Sequence, residues 1–544
     1  MKAIFRVMLK VILAGLLAGS LAGRAADASA NGAVTNAPSP KRGGILRLAL
    51  PTDVSALDPA LAFDTVAEPF LMLLYEGLVE YDDGTGLLPS LAADWTLSAD
   101  RRTYTFHLRP GARFSNGRAL AAADFVYTLE RTLNPKTASP TESYFEGIAG
   151  AKAFRAGQAP HVRGLRAPQS DTLVIELEQP DPTFLFILAL PGALVVPREA
   201  VERYGSEFTA HPVGTGPYVL TQWRRAFNMR FARNPLYRRA DRQNLDGVEV
   251  MVGGDQALHL MMFERGELDL ADATVAPGIP VPDIFRIQRS PRWRNLIETM
   301  QAGATEFLSL NTEMPPFDNL KVRQAMNYAI NKEKLVRLEH GTVTTADGIL
   351  PATMPGFNPH LKSYPYDPAK ARQLLAGAGY PHGFSFQLWY LAEAPTVPAA
   401  IENDLEQVGI KAELKPASFA PLLDSEERRK TVQCSAGGWS QDYPDPSDFL
   451  DVMFNGNRIT DEGCQNTSFY NNPAVNQLLT EAATCPDPAR RLGLYQAAEQ
   501  AVVTDAPYVP LVHPRLFALH QPWLHGVHLH PVLYLRFERW WLDR

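Results

Sequence analysis

Aspartate recurs at every third position in GGWSQDYPDPSDFLD, residues 437–451: Asp442, Asp445, Asp448 and Asp451. Carboxylates so close together can chelate a hard cation, work as an acid–base pair, start a helix or hold a cationic ligand. Spacings of three do not reproduce the alternating ligands and the sixth-position glycine of a calcium loop. No second acid or nucleophile is tied to the four by a recognisable spacing, so a catalytic pair lacks its partner group. Helix mechanics accounts for three of them. Pro446 after Asp445 suits the first turn of a helix, which makes Asp445 the expected N-cap and sets Asp448 near the positive helix pole. Phe449, Leu450, Met453 and Phe454 recur at helical spacing as an inward face, and Asn455-Gly456 stops the run. Asp451 is then expected as a solvated partner of the helix dipole.

Asp442 is left over, at the end of the expected strand TVQCSAGGWS (431–440) and between Trp439 and Tyr443. Gly437 and Gly438 remove two side chains from that strand, which admits another backbone, a bulge or close packing. A carboxylate in a cleft with aromatic walls suits an ammonium group. Opposite charges about 4 Å apart are worth roughly 4 kcal/mol at an effective dielectric near 20, before desolvation is deducted. Trp439 is otherwise plain core.

The elements that position this segment must be built from 544 residues, too many for one hydrophobic core. Apolar residues make up 46% and charged residues 20%, a globular composition, and a net charge of −7 without a long single-sign run argues against a nucleic-acid surface. Lys2, Arg6 and Lys10, the apolar VILAGLLAGSL (11–21) and the small-residue ADASA (26–30) read as a cleavable signal peptide over 1–30. Cleavage after Ala30 is expected, with Ala25 as the alternative. The apolar run is too short to span a membrane, and with no cysteine before Cys434 a lipid anchor is not expected. Residues 31–43 are a linker. Cys434, Cys464 and Cys485 are either one 434–464 bridge plus a free thiol or three buried thiols, and they lack zinc-ligand spacing.

Helices and strands alternate along the rest. RTYTFHLRPG (102–111) is an expected strand with Tyr104, Phe106 and Leu108 on one face. FDNLKVRQAMNYAINKEKLV (317–336) is an expected helix with Asp318 as N-cap. Its inner face is Val322, Met326, Ala329 and Ile330, with Lys321, Arg323 and Asn327 opposite. DPAKARQLLAGAGY (367–380) and AAIENDLEQVGI (399–410) are further helices, followed by the strands FSFQLWY (384–390) and KAELKP (411–416). Trp389 and Tyr390 are expected in the core. GTGPY (214–218) is a tight turn before a strand and not a phosphate cradle, because no Gly-Lys-Ser/Thr follows.

Taken together, LYEGLVEYD (74–82), LPSLAADWTLSADRRTYTFHLRPGARFSNG (88–117), HPVGTGPYVL (211–220), RNPLYRR (233–239), PFDNLKVRQAMNYAINKEKL (316–335), YPYDPAKARQLLAGAGY (364–380) and DAPYVPL (505–511) make the chain similar to the extracellular solute-binding proteins of the peptide and nickel ABC-importer family. The resemblance implies an α/β two-lobe periplasmic binding protein of the Venus-flytrap type, with mixed sheets, crossing hinge strands and a subdomain inserted in the first lobe. It divides the chain into lobe I at 44–80, 196–300 and 508–544, the inserted subdomain at 81–195 and lobe II at 301–507. It implies capture of peptides and delivery to an inner-membrane permease by a monomer, with no cofactor, no metal and no catalysis. By the family motif W-x-x-D-Y, Asp442 takes a peptide's α-ammonium, Trp439 lines a side-chain pocket beside Tyr443, and the backbones of Gly438 and Ser440 pair with the guest. Two departures matter. LAEAPTVPAAIEND (391–404) contains no arginine where dipeptide binders clamp a carboxylate, and Ala436 stands where some oligopeptide binders have arginine. The same fold with an oligosaccharide, nickel chelate or haem as cargo is the alternative, and an exported hydrolase is a further one. His520, His525, His528 and His530 are expected on exposed turns and strands.

Overall fold

The computed structural model describes residues 40–272 and 279–544. Alternating apolar residues build three main sheets. In the first, Ile45–Leu50 runs parallel to Gly247–Val252, and Asn228–Arg233 and Tyr218–Arg224 continue it antiparallel. In the second, Ala92–Leu97, Thr103–Leu108, Thr172–Glu176 and Leu165–Gln169 lie in that spatial order, all antiparallel. Tyr104, Phe106 and Leu108 point inward as their spacing predicts, against Phe125, Leu129 and Phe145. The third sheet has eight strands. Leu270–Asp272, Tyr508–His520, Ala304–Leu310, Cys434–Ser440, Ser385–Leu391 and Lys411–Ala417 follow one another, and Ile297–Gln301 and Val343–Thr345 also pair with Tyr508–His520.

This largest sheet is covered on both faces, so each of its central strands feeds two cores. From Ala304–Leu310, Leu308 and Leu310 pack with Val322, Met326, Leu388 and Ile401, while Phe307 packs with Phe449, Leu450, Phe454 and Tyr495. The long strand Tyr508–His520 joins two bodies. Tyr508–Val512 pairs with Ala304–Leu310, and Arg515–Leu519 pairs with Ile297–Gln301. Chain therefore crosses between the bodies at 302–303 and again at 513–514, where Ala302 N–H donates to the Pro514 carbonyl at 2.8 Å.

Several local expectations change. The helix expected over 317–336 is two, Leu320–Ala329 and Lys332–Leu338, because the Asn331 side chain accepts from Lys334 N–H and starts a second helix. Asn319, not Asp318, caps the first. Arg323 and Asn327 are buried rather than outward: Arg323 donates to the carbonyls of Phe317 (2.8 Å) and Asp505 (2.9 Å), and Asn327 to that of Tyr508 (3.2 Å). Tyr390 is core as expected, while half-buried Trp389 carries the Lys415 ammonium 3.6 Å from its ring centroid. All three cysteines are free, buried thiols. Only His528 of the histidine group is exposed; His530 is buried, its Nδ1 accepting from Val532 and Leu533 N–H, both at 3.0 Å. No group of three or more His, Cys, Asp or Glu among the described residues could hold a metal ion.

GTGPY is explained by close approach rather than by turn dihedrals. A Cβ on Gly214 would stand 2.1 Å from the Leu74 carbonyl oxygen, and one on Gly216 2.4 Å from the Leu74 carbonyl carbon. The glycines let this segment press on the end of helix Glu68–Leu74, where Gly216 N–H donates to Leu74 O at 2.9 Å. Gly216→Ala should therefore cost about 1–3 kcal/mol by overpacking, read as a lowered urea midpoint at unchanged slope.

Glu499, buried on helix Pro488–Asp505, accepts the N–H groups of Ile349 (3.1 Å) and Leu350 (3.0 Å). Burial pushes its carboxyl up to about 7. The folded form keeps a proton that the unfolded chain has lost, so this contribution is full below about pH 4.5 and disappears as pH rises through about 7. Glu499→Gln keeps an acceptor without a charge. Relative to wild type it should gain stability between pH 5 and pH 8, on the order of 3 kcal/mol, in paired denaturation curves.

Candidate functional site

The strand Cys434–Ser440 has one edge occupied and the other partly open. Along its full length it pairs antiparallel with Ala304–Leu310, bringing Ser440 opposite Ala304, Trp439 opposite Thr305 and Gly438 opposite Glu306. On its other side, Ser385–Leu391 pairs only at Cys434 and Ser435. From Ala436 to Ser440 no further strand lies alongside among the described residues. Gln441 N–H donates to Gly303 O (2.8 Å) and Asn311 N–H to Gln433 O (2.9 Å), which puts the odd-numbered residues in the hydrogen-bonded pairs. Antiparallel alternation then turns the backbone N–H and C=O of Ala436, Gly438 and Ser440 toward the open edge. A Cβ on Gly437 would meet nothing within 4 Å, whereas one on Gly438 would lie 3.1 Å from Thr305 O.

Asp442 follows at the end of this edge. Its N–H donates to an Asp448 carboxylate oxygen at 2.8 Å, and its own carboxylate accepts the hydroxyl of Tyr144. Tyr144 lies in the short helix Glu142–Phe145, which packs with the second sheet, so this hydrogen bond spans two bodies of the molecule. The carboxylate is not the unpaired group anticipated from the sequence: a neutral donor already meets it. Burial and the Asp442 charge push the Tyr144 hydroxyl well above its usual value. The Tyr144 ring meets Tyr443 edge-on at 6.3 Å and Phe63 at 5.9 Å, so aromatic rings surround the donor that meets the carboxylate. Trp439 is half-buried against the Phe449 and Leu450 core, yet its indole N–H is buried without a hydrogen-bond partner among the described residues. Asp442, Trp439, Gly438, Ser440 and Tyr443 thus lie together on one strand end and the turn after it.

Matching this geometry, residues 86–461 fit the profile of the bacterial extracellular solute-binding proteins, family 5 Middle. The glutathione-binding protein GsiB of Shigella dysenteriae is 31% identical over 501 residues, covering 90% of this chain and 93% of its own. The chain belongs to this family. Among solved structures, a clavulanic acid biosynthesis oligopeptide binding protein superposes with a TM-score of 0.86 at 26% identity, over 93% of this chain and 97% of that one. The ABC transporter-associated periplasmic binding protein DppA of Helicobacter pylori, in complex with the peptide STSA, gives 0.76 at 27% identity over 93% and 99%. The architecture is accordingly the two-lobe Venus-flytrap fold.

Within this solute-binding protein the other three aspartates are structural, though not quite as their spacing predicted. The helix is Ser447–Phe454, and its N-cap position is Pro446. Asp445 instead receives the N–H (2.9 Å) and hydroxyl (2.7 Å) of Ser447 and forms a buried two-pronged pair with Arg491, at 2.5 and 2.8 Å. Asp451 is buried, not solvated; it accepts from Asn455 at 2.7 Å and pairs with Arg458. Tyr144, Glu306 and Glu339 escaped the sequence reading. Of these only Glu306 left a signal, as a carboxylate on the same strand face as Leu308 and Leu310. Removing Arg491 strands the Asp445 charge in the protein interior. Arg491→Met should cost about 3–5 kcal/mol in urea unfolding, and adding Asp445→Asn should recover part of that loss.

Proposed function

We propose that this solute-binding protein acts in the periplasm, captures oligopeptide-like solutes between its lobes and presents them to an inner-membrane ABC permease. The observation that carries the reading is the free backbone edge at 436–440, which ends at a carboxylate. An extended guest would add a strand there: main-chain bonds to Gly438 and Ser440 supply affinity, and Asp442 takes the α-ammonium in exchange for the Tyr144 hydroxyl. Trp439 offers its unmet indole N–H, and Tyr443 walls the ammonium site. The missing arginine in 391–404 leaves the far end of the guest without a fixed clamp, so longer peptides are accommodated. Lobe I is taken as 44–300 with 508–544, including the subdomain at 81–195, and lobe II as 301–507, except that the pairing of Tyr508–Val512 with Ala304–Leu310 favours a return to lobe I at 513–514. Export by a signal peptide at 1–30, which lies outside the described residues, and action as a monomer complete the proposal. Closure follows from contact with both lobes at once, which only the closed state makes.

Glutathione is the second reading, favoured by the similarity to GsiB over most of the chain. It too carries a free ammonium, so one experiment addresses both. Calorimetric titration of wild type and Asp442→Ala should show at least about a thirtyfold loss, some 2 kcal/mol, for free-amine peptides or glutathione. N-acetylated peptides should lose little. Equal losses for both classes would make Asp442 a structural residue, and glutathione binding without α-peptide binding would select the second reading.

A further inference from the structure

We propose that Glu306 and Glu339 form a subsite for a cationic side chain, lysine or arginine, carried by the third residue of the captured peptide. The inference rests on the peptide reading above and specifies what that site selects.

Glu306 stands directly opposite Gly438, on the sheet face that Leu308 and Leu310 share. A Cβ on Gly438 would come within 3.6 Å of the Glu306 Cγ, so the two positions project to the same side. Glu339, at the C-terminal end of helix Lys332–Leu338, lies near enough for its charge to act on Glu306. It is only 7% exposed, and neither carboxylate has a hydrogen-bond or ion-pair partner among the described residues. The end of a helix is the wrong pole for an anion, since its unsatisfied carbonyls add negative potential. Burial holds both carboxyls up at about 7, and the charge of Glu339 adds to the effect on Glu306. Glu339 is buried and Glu306 half-buried, and two neighbouring acids without a cation are an unfavourable arrangement that a positively charged guest would relieve.

The strand geometry says which guest residue reaches them. A peptide with its ammonium at Asp442 and its first residue beside Ser440 runs antiparallel to the site strand, so its third residue falls beside Gly438. Laterally adjacent residues in a sheet share a face, and two strand spacings separate that residue from Glu306, about 9.5 Å. A glutamate and a lysine or arginine reaching toward each other span that gap. They do so because Gly438 leaves the lane between them without a side chain.

Calorimetric titration with Ala-Ala-Lys-Ala and Ala-Ala-norleucine-Ala, equal in length and differing in charge, tests this. The lysine peptide should bind the unmodified protein about tenfold tighter or more. Moving lysine to the second position should abolish the advantage, and Glu306→Gln/Glu339→Gln should reduce the ratio to about twofold or less. Circular dichroism and a melting scan check that the variant is folded, and Glu306→Gln alone serves if the double variant is not. Equal affinity for lysine and norleucine in the unmodified protein, or a ratio that survives in the variants, would overturn the subsite and leave the peptide reading standing. Binding of neither peptide would overturn that reading and the subsite with it.

Discussion

A buried peptide group must find a hydrogen-bond partner, and among the described residues the strand Cys434–Ser440 has a partner strand on one side only beyond Ser435. That imbalance organises the region. Ala304–Leu310 holds the strand rigidly in register, so the donors and acceptors of Ala436, Gly438 and Ser440 are presented at fixed spacing to whatever enters. Because backbone groups are common to all peptides, such an edge confers affinity with little preference for sequence. On the proposed reading, preference comes from the two faces, one with Trp439 and the space beside Gly437, the other reaching past Gly438 to Glu306.

The same strand is tied to the connections between the lobes. A Cβ on Gly303 would fall 2.2 Å from the Gln441 Cδ, so the glycine at the first crossing exists to receive that side chain. Gln441 in turn donates to the Pro531 carbonyl in the C-terminal return. The crossing at 302–303 and the open strand edge are thereby tied together, with Asp442 as the next residue along.

Much of this was legible from residue patterns. Period-two alternation placed Tyr104, Phe106 and Leu108, helical spacing placed Phe449, Leu450, Met453 and Phe454, and the family motif directed attention to Asp442. What escaped depends on contacts between distant parts of the chain. Arg491 claims Asp445 from 46 positions away, and Tyr144 reaches Asp442 across 298. Local rules assigned Asp445 to a cap because they contain no partner from another helix, and Asp451 to solvent because a helix pattern does not show that the chain after it folds back to bring Arg458 onto the carboxylate. The periodicity of 317–336 likewise could not show that Asn331 restarts the helix, since an asparagine inside a helix and one at its start look alike in a pattern of apolar residues.

Tyr144 has one more consequence. Its phenol joins two bodies of the molecule through the carboxylate proposed to receive a guest's ammonium, so on that proposal the protein carries an internal understudy for its cargo. On the same proposal, shutting while empty is less uphill than it would be if two bare surfaces met, and a guest is rewarded only by the margin between its ammonium and that phenol. A transporter that judges its courier by outline alone would accept some that arrive with nothing to deliver.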